Sequence, residues 1–174
     1  MTPGQKRIVQ ETWHSLVPIA DTAAELFYDR LFEVDPTTRL LFAPENLRDQ
    51  RRKLLQVLAA AVRGLDDLNS LVPVVEDLGR RHARYGVTEK HYESVGNALL
   101  WTLEQGLGPV WTVETRAAWS EVYGLLSAIM QRAAASPSAI DATDDVVSKG
   151  GSMVSRPAVA RASGSGLAPR VPVP

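Results

Sequence analysis

The amino-acid sequence predicts an all-α domain over residues 1–135, followed by a tail of different character over residues 136–174. Three observations carry this reading. Apolar residues in the first part recur three and four apart, the period of helices buried on one face. No stretch alternates with period two for long enough to make a strand. From Ser136 onward the composition turns to Ser, Pro, Gly, Ala and Val, without a single aromatic residue. Such a segment cannot bury enough apolar surface to offset its ordering entropy, so a disordered tail is expected.

The helices follow in order. Thr2 before Pro3 is an N-cap followed by a first-turn proline, and Val9, Trp13 and Leu16 mark one face. A second helix is expected from about Asp21 to Phe32, with Phe27, Tyr28, Leu31 and Phe32 inward. Asp35-Pro36 starts a short helical turn toward Leu40, Leu41 and Phe42. Ala43 to Asp49 reads as a loop. Gln50 then heads a helix to about Arg63, with Leu54, Leu55, Leu58 and Ala61 inside. Ser70 opens the next, whose stripe is Leu71, Val74, Val75, Leu78 and His82; Gly86 closes it. Two long helices, about Glu89–Leu107 and Val113–Ala134, complete six to eight around one core.

Composition removes several function classes. The net charge is −1 and no block of like charge occurs in the first 135 residues, which argues against a phosphate-binding face for nucleic acid. The absence of cysteine excludes disulfides, thiolate zinc sites, iron–sulfur clusters and thiol catalysis, and suits a cytoplasmic protein. Met1–Gln10 has no apolar core of a signal peptide, and no apolar run approaches a membrane span. After Asp145 the tail carries only Lys149, Arg156, Arg161 and Arg170. An inert extension is favoured there over a weak contact with a partner or membrane surface.

Chemistry gathers around His82, one of three histidines. It ends an apolar stripe, so it is either a satisfied core histidine or a nitrogen ligand presented from an apolar wall. An iron porphyrin requires the second arrangement on one of its faces. Tyr28 lies on an inward face between Phe27 and Leu31, as a core tyrosine or as a hydroxyl lining a pocket. Gln50 is either an exposed side chain near a cap or, with Tyr28 and Leu54, part of a small mixed pocket. Phe42, fixed by the Pro36 turn, supplies an aromatic wall or ordinary packing. His14 reads as a surface residue and His91 as the opening of a helix. Arg80 and Arg81 read as solvated, or as partners for a carboxylate.

The ordered set of motifs resembles a known family. Phe27-Tyr28-Asp29-Arg30-Leu31-Phe32, Asp35-Pro36 and Leu41-Phe42 are similar to the second helix and corner of bacterial haemoglobins. Asp49-Gln50-Arg51 with Leu54, and the run Leu78 to Val87 around His82, continue the match. His91-Tyr92, Val95-Gly96, Ala118-Trp119 and Val122-Tyr123-Gly124-Leu125 complete it through residue 134 or so. The chain resembles single-domain bacterial haemoglobins of the flavohaemoglobin lineage, and most closely the Hell's Gate globin type.

That resemblance implies a globin fold holding haem b, iron protoporphyrin IX. It implies His82 as proximal ligand, Tyr28 and Gln50 as distal hydrogen-bond donors, Leu54 as distal leucine, Phe42 as the ring against the haem and Tyr92 as a proximal tyrosine. The implied ligands are dioxygen, carbon monoxide and nitric oxide, and the implied roles are oxygen binding or transport and conversion of nitric oxide to nitrate with an external reductase. A monomer or weak homodimer is expected. The lineage's proximal tyrosine–glutamate network lacks its acid, since the matching position falls within Ala133-Ala134-Ala135. His82 is then expected to donate to a main-chain carbonyl one turn back. The alternative functional reading is a gas sensor or helical interaction module that signals through the tail.

Overall fold

The computed structural model describes residues 1–136, and the expected tail, apart from Ser136, lies outside the described residues. Six α-helices form the domain: α1 Pro3–Leu16, α2 Ala20–Val34, α3 Leu47–Gly64, α4 Leu68–Arg84, α5 Glu89–Leu107 and α6 Val113–Ala135. Short 3-10 turns occupy Val17–Ile19, Pro36–Leu41, Pro44–Asn46 and Gly108–Val110. The described residues contain no strand.

Local chemistry explains where the helices begin. Thr2 Oγ1 accepts from the Gln5 N–H at 3.2 Å, and the Gln5 side chain accepts from the Thr2 N–H at 2.7 Å. This reciprocal box satisfies two of the amide donors that every helix start leaves without an internal partner. Thr112 caps α6 in the same sense, accepting from Thr115 N–H at 3.2 Å. At α5 the reciprocal partner is His91, whose Nδ1 accepts from the Thr88 N–H at 3.1 Å. That role accounts for His91 as a capping residue. His14 is exposed, with Nδ1 donating to the Gln10 carbonyl at 2.7 Å.

Two expected starts move. Helix α3 begins at Leu47 rather than Gln50, because Pro44-Glu45-Asn46 already turn in 3-10 form and feed the α-helix directly. Gln50 therefore sits in the first turn and does not head the helix. Helix α4 begins at Leu68, because the Asp67 carboxylate caps it by accepting from the Ser70 N–H at 3.2 Å. Pro73 then lies inside the helix and forfeits one backbone hydrogen bond. The stripe also needs one correction: Val74 is 60% exposed, whereas Leu71 and Val75 are buried. The packing of α4 on α6 selects the Leu71, Val75 and Gly79 side of the helix, and Val74 falls outside it.

The core joins α1, α2, α5 and α6. Trp119 is 1% exposed and its indole N–H donates to Thr12 Oγ1 at 3.0 Å. Thr12 passes its own proton to the Ile8 carbonyl at 2.7 Å, so the buried polar atoms of this contact are satisfied. Ala98 and Ala118, both fully buried, keep the neighbouring helices close. Asp35 locks the corner after α2. Its carboxylate accepts from the Thr37 amide at 3.2 Å and from Ser94 Oγ of α5 at 2.8 Å. Bonds from Thr37 and then Ser94 hold this carboxyl below its usual value.

Candidate functional site

The predicted residues fall into two groups, one on α2, the following corner and α3, the other on α4 and α5. Helices α3 and α4 approach at the Gly64 end, where the space beside Gly64 is filled by Leu71, and a Cβ there would meet that side chain at 3.1 Å. Farther along, Leu54 and Leu58 on α3 and Leu78 and His82 on α4 are all half-buried. These four side chains are apolar apart from the imidazole.

The α2 side is aromatic. Tyr28 is 4% exposed and stands edge-on to Phe27 and to Phe42, with ring centroids 5.1 and 5.4 Å apart. Phe42 also leans on Phe32 at 5.9 Å, so the Asp35–Pro36 corner presses one aromatic cluster against α2. Such offset and edge-to-face pairs are the favoured aromatic geometry. Burial pushes the Tyr28 phenol up to about 12, against an opposing pull from the Arg51 guanidinium. The hydroxyl therefore stays protonated, and remains a donor, throughout the neutral range. Leu54 joins Phe27, Leu58, Leu99 and Thr102 around an apolar cavity of about 30 Å³ behind this wall. Gln50 is half-buried one turn before Leu54.

The α4 side is organised around the imidazole. His82 Nδ1 donates to the Leu78 carbonyl at 2.8 Å, as expected for a histidine that lacks an acidic partner. This assigns the proton to Nδ1 and leaves Nε2 a free base. Burial, the larger influence, and the nearby Arg81 charge both lower the imidazole's proton affinity. Both favour the neutral form that a metal requires. Tyr92 lies nearly parallel to the ring, at 6.2 Å and 23°. Its own hydroxyl is buried without a hydrogen-bond partner. Ala133 is buried but contributes no acid that could pair with it. Arg81 pairs with Asp77 on the exposed side of α4.

Two glycines position this side, and the motif reading assigned neither a role. A Cβ on Gly79 would lie 2.3 Å from the Met130 carbonyl oxygen, so α4 rests backbone-to-backbone on α6 three residues before His82. A Cβ on Gly96 would lie 2.6 Å from the Tyr123 ring. Glycine there lets Tyr123 cross α5 and donate its hydroxyl to the Tyr92 carbonyl at 2.5 Å. The available signal was a glycine inside a helix, which costs about 1 kcal/mol against alanine unless close approach requires it.

The donor set suits a metal that arrives already chelated. Among the described residues no group of three His, Asp, Glu or Cys side chains is placed to hold an ion. His82, held neutral with Nε2 free, would supply one nitrogen donor to a bound metal, and a macrocycle would bring the remaining donors. The Tyr92 hydroxyl beside the imidazole is an orphaned buried polar atom, and Leu54, Leu58 and Leu78 are half-buried apolar side chains. The residues present therefore fit a porphyrin.

A six-helix domain that presents one neutral imidazole with a free Nε2 from a half-buried helix face suits a haem-binding protein. The family model described as Globin matches residues 25–130, and the chain belongs to the globin family. Neuroglobin of Danio rerio is 34% identical over 140 residues, covering 73% of this chain and 88% of its own length. Neuroglobins of Tetraodon nigroviridis and Chaenocephalus aceratus are each 33% identical over 141 residues, with the same coverage. Family membership carries haem binding and the uptake of a diatomic gas. These relatives are vertebrate, so they support the family but not the bacterial flavohaemoglobin lineage or the Hell's Gate type. No helix among the described residues is long and apolar enough to cross a membrane.

Proposed function

We propose that this chain binds haem b through His82, holds dioxygen with Tyr28 and Gln50, and converts nitric oxide to nitrate when an external reductase is present. The observation that carries the reading is His82, whose Nδ1 donates to the Leu78 carbonyl and leaves Nε2 a free base in a chain of the globin family; the buried, protonated Tyr28 phenol supports it. Haem, when bound, supplies a ferrous iron that takes up dioxygen reversibly and is left ferric once nitric oxide has gone to nitrate.

The protein's own contributions are distinct. Leu78 orients the imidazole and fixes its tautomer, while Gly79 sets the height of α4 on its support. Tyr28 donates a hydrogen bond to a ligand that gains negative charge, and Gln50 adds an amide donor from the first turn of α3. Leu54 and Phe42 exclude water. With alanines where the acid would stand, the imidazole donates to a carbonyl rather than a carboxylate and is a weaker electron donor. This favours ligand holding over oxidative activation. Residues 1–135 form the functional unit in this reading, acting as a monomer or weak homodimer in the cytoplasm, with 136–174 as an accessory extension.

The test is an optical titration of the full chain with haemin, beside His82→Ala. Stoichiometric uptake with a histidine-ligated spectrum, lost in the variant, is the expected result. Equal spectra for the two proteins would remove His82 from the iron.

A further inference from the structure

Arg51 is used by none of the roles above, yet it stands beside them. It follows Gln50 in the first turns of α3, and its Nη1 donates to Glu25 Oε1 of α2 at 3.1 Å. Glu25 lies three residues, about one turn, before Tyr28. The ion pair thus pins the guanidinium against the helix that carries the distal phenol. Arg51 Nε is buried and has no hydrogen-bond partner. A desolvated guanidinium donor left unpaired is costly, and this structure pairs only the outer end of the group. The positive charge is also felt at the Tyr28 hydroxyl, where it opposes the effect of burial.

We propose that Arg51 is a further distal residue that makes the pocket selective for small anionic ligands over neutral ones. The inference rests on the haem reading above. Glu25 does not cancel the effect. Its side chain is 58% exposed against 28% for Arg51, so water screens the carboxylate more than the guanidinium. The field toward the buried Nε is net positive. A monoanion such as azide, fluoride or nitrite gains from that field, whereas carbon monoxide, which carries no net charge, gains little.

The experiment measures equilibrium affinities of the full chain loaded with haemin. Azide and fluoride are titrated into the ferric protein and carbon monoxide into the ferrous protein, for wild type, Arg51→Gln and Glu25→Gln. Arg51→Gln is expected to weaken both anions by about tenfold while carbon monoxide stays within about twofold. Glu25→Gln, which removes the compensating carboxylate, is expected to leave anion affinity at or above that of wild type. Unchanged anion affinity in Arg51→Gln overturns the proposal, as does an equal loss for carbon monoxide. A loss in Glu25→Gln as large as in Arg51→Gln overturns it too, since the ion pair's packing would then be the cause. Haem stoichiometry separates the two readings: a wild-type chain that takes up no haem overturns the proposed function and this inference together, whereas haem uptake with unchanged anion affinity overturns this one alone.

Discussion

At the scale of single residues, the distal wall turns on one hydroxyl. Tyr28 is buried, edge-on to two phenylalanines, and its phenol holds its proton across the neutral range. Removing that oxygen leaves the rings in place and deletes one hydrogen bond to a charge-bearing acceptor, worth about 1.5–3 kcal/mol. Tyr28→Phe is therefore expected to raise the dioxygen off-rate by about ten to a hundred and fifty fold in stopped-flow measurements, with carbon monoxide dissociation little changed. An unchanged dioxygen off-rate would take the phenol out of ligand binding. The identity of Tyr28 as an inward residue was legible from its spacing with Phe27 and Leu31. The Arg51–Glu25 ion pair was not, because a lone arginine on a helix reads as a solvated side chain until the fold places Glu25 opposite it.

At the scale of elements, α4 decides where the imidazole stands. The helix rests on α6 through Gly79, with no room for a side chain between them. A methyl group there must push Met130 backbone aside or lift α4, and overpacking of this kind costs about 1–3 kcal/mol. Gly79→Ala is expected to lower the unfolding free energy from denaturant titration by that amount and to weaken haem retention, because His82 moves with its helix. Haem transfer to an acceptor protein measures the second effect, and retention equal to wild type would show that α4 absorbs the shift elsewhere. Periodicity located this helix well, since Leu71, Val75 and His82 share a side. It placed the start late because the cap at Asp67 precedes the apolar stripe, and it included Val74 because residues three and four apart look equivalent until a partner helix chooses between them. The start of α3 moved for a related reason: the 3-10 turn at Pro44–Asn46 carries no apolar period of its own.

At the scale of the whole molecule, the six helices of the described residues enclose a core built from side chains between Val9 and Ala133. Ending the chain at Ala135 is accordingly expected to preserve the haem spectra and the dioxygen affinity within about twofold, a change under 0.5 kcal/mol. A larger shift in ligand affinity would favour a regulatory tail and the sensor reading over simple ligand holding. The two groups of site residues also belong to this scale. Tyr28, Phe42 and Leu54 come from α2, the corner and α3, while His82 and Tyr92 come from α4 and α5.

By itself the sequence determined that the described part is helical and without strands, where the greater part of each buried face lies, and that no cysteine chemistry operates. These properties are local or compositional: the helical period, the caps and the residue types are present before any helix meets another. Tertiary structure alone decided that Gly79 and Gly96 are points of contact and that Arg51 pairs with Glu25 on the helix that carries Tyr28. Each of those depends on the distance between groups on separate helices or on a side chain's choice among partners, and spacing along one chain does not encode that distance.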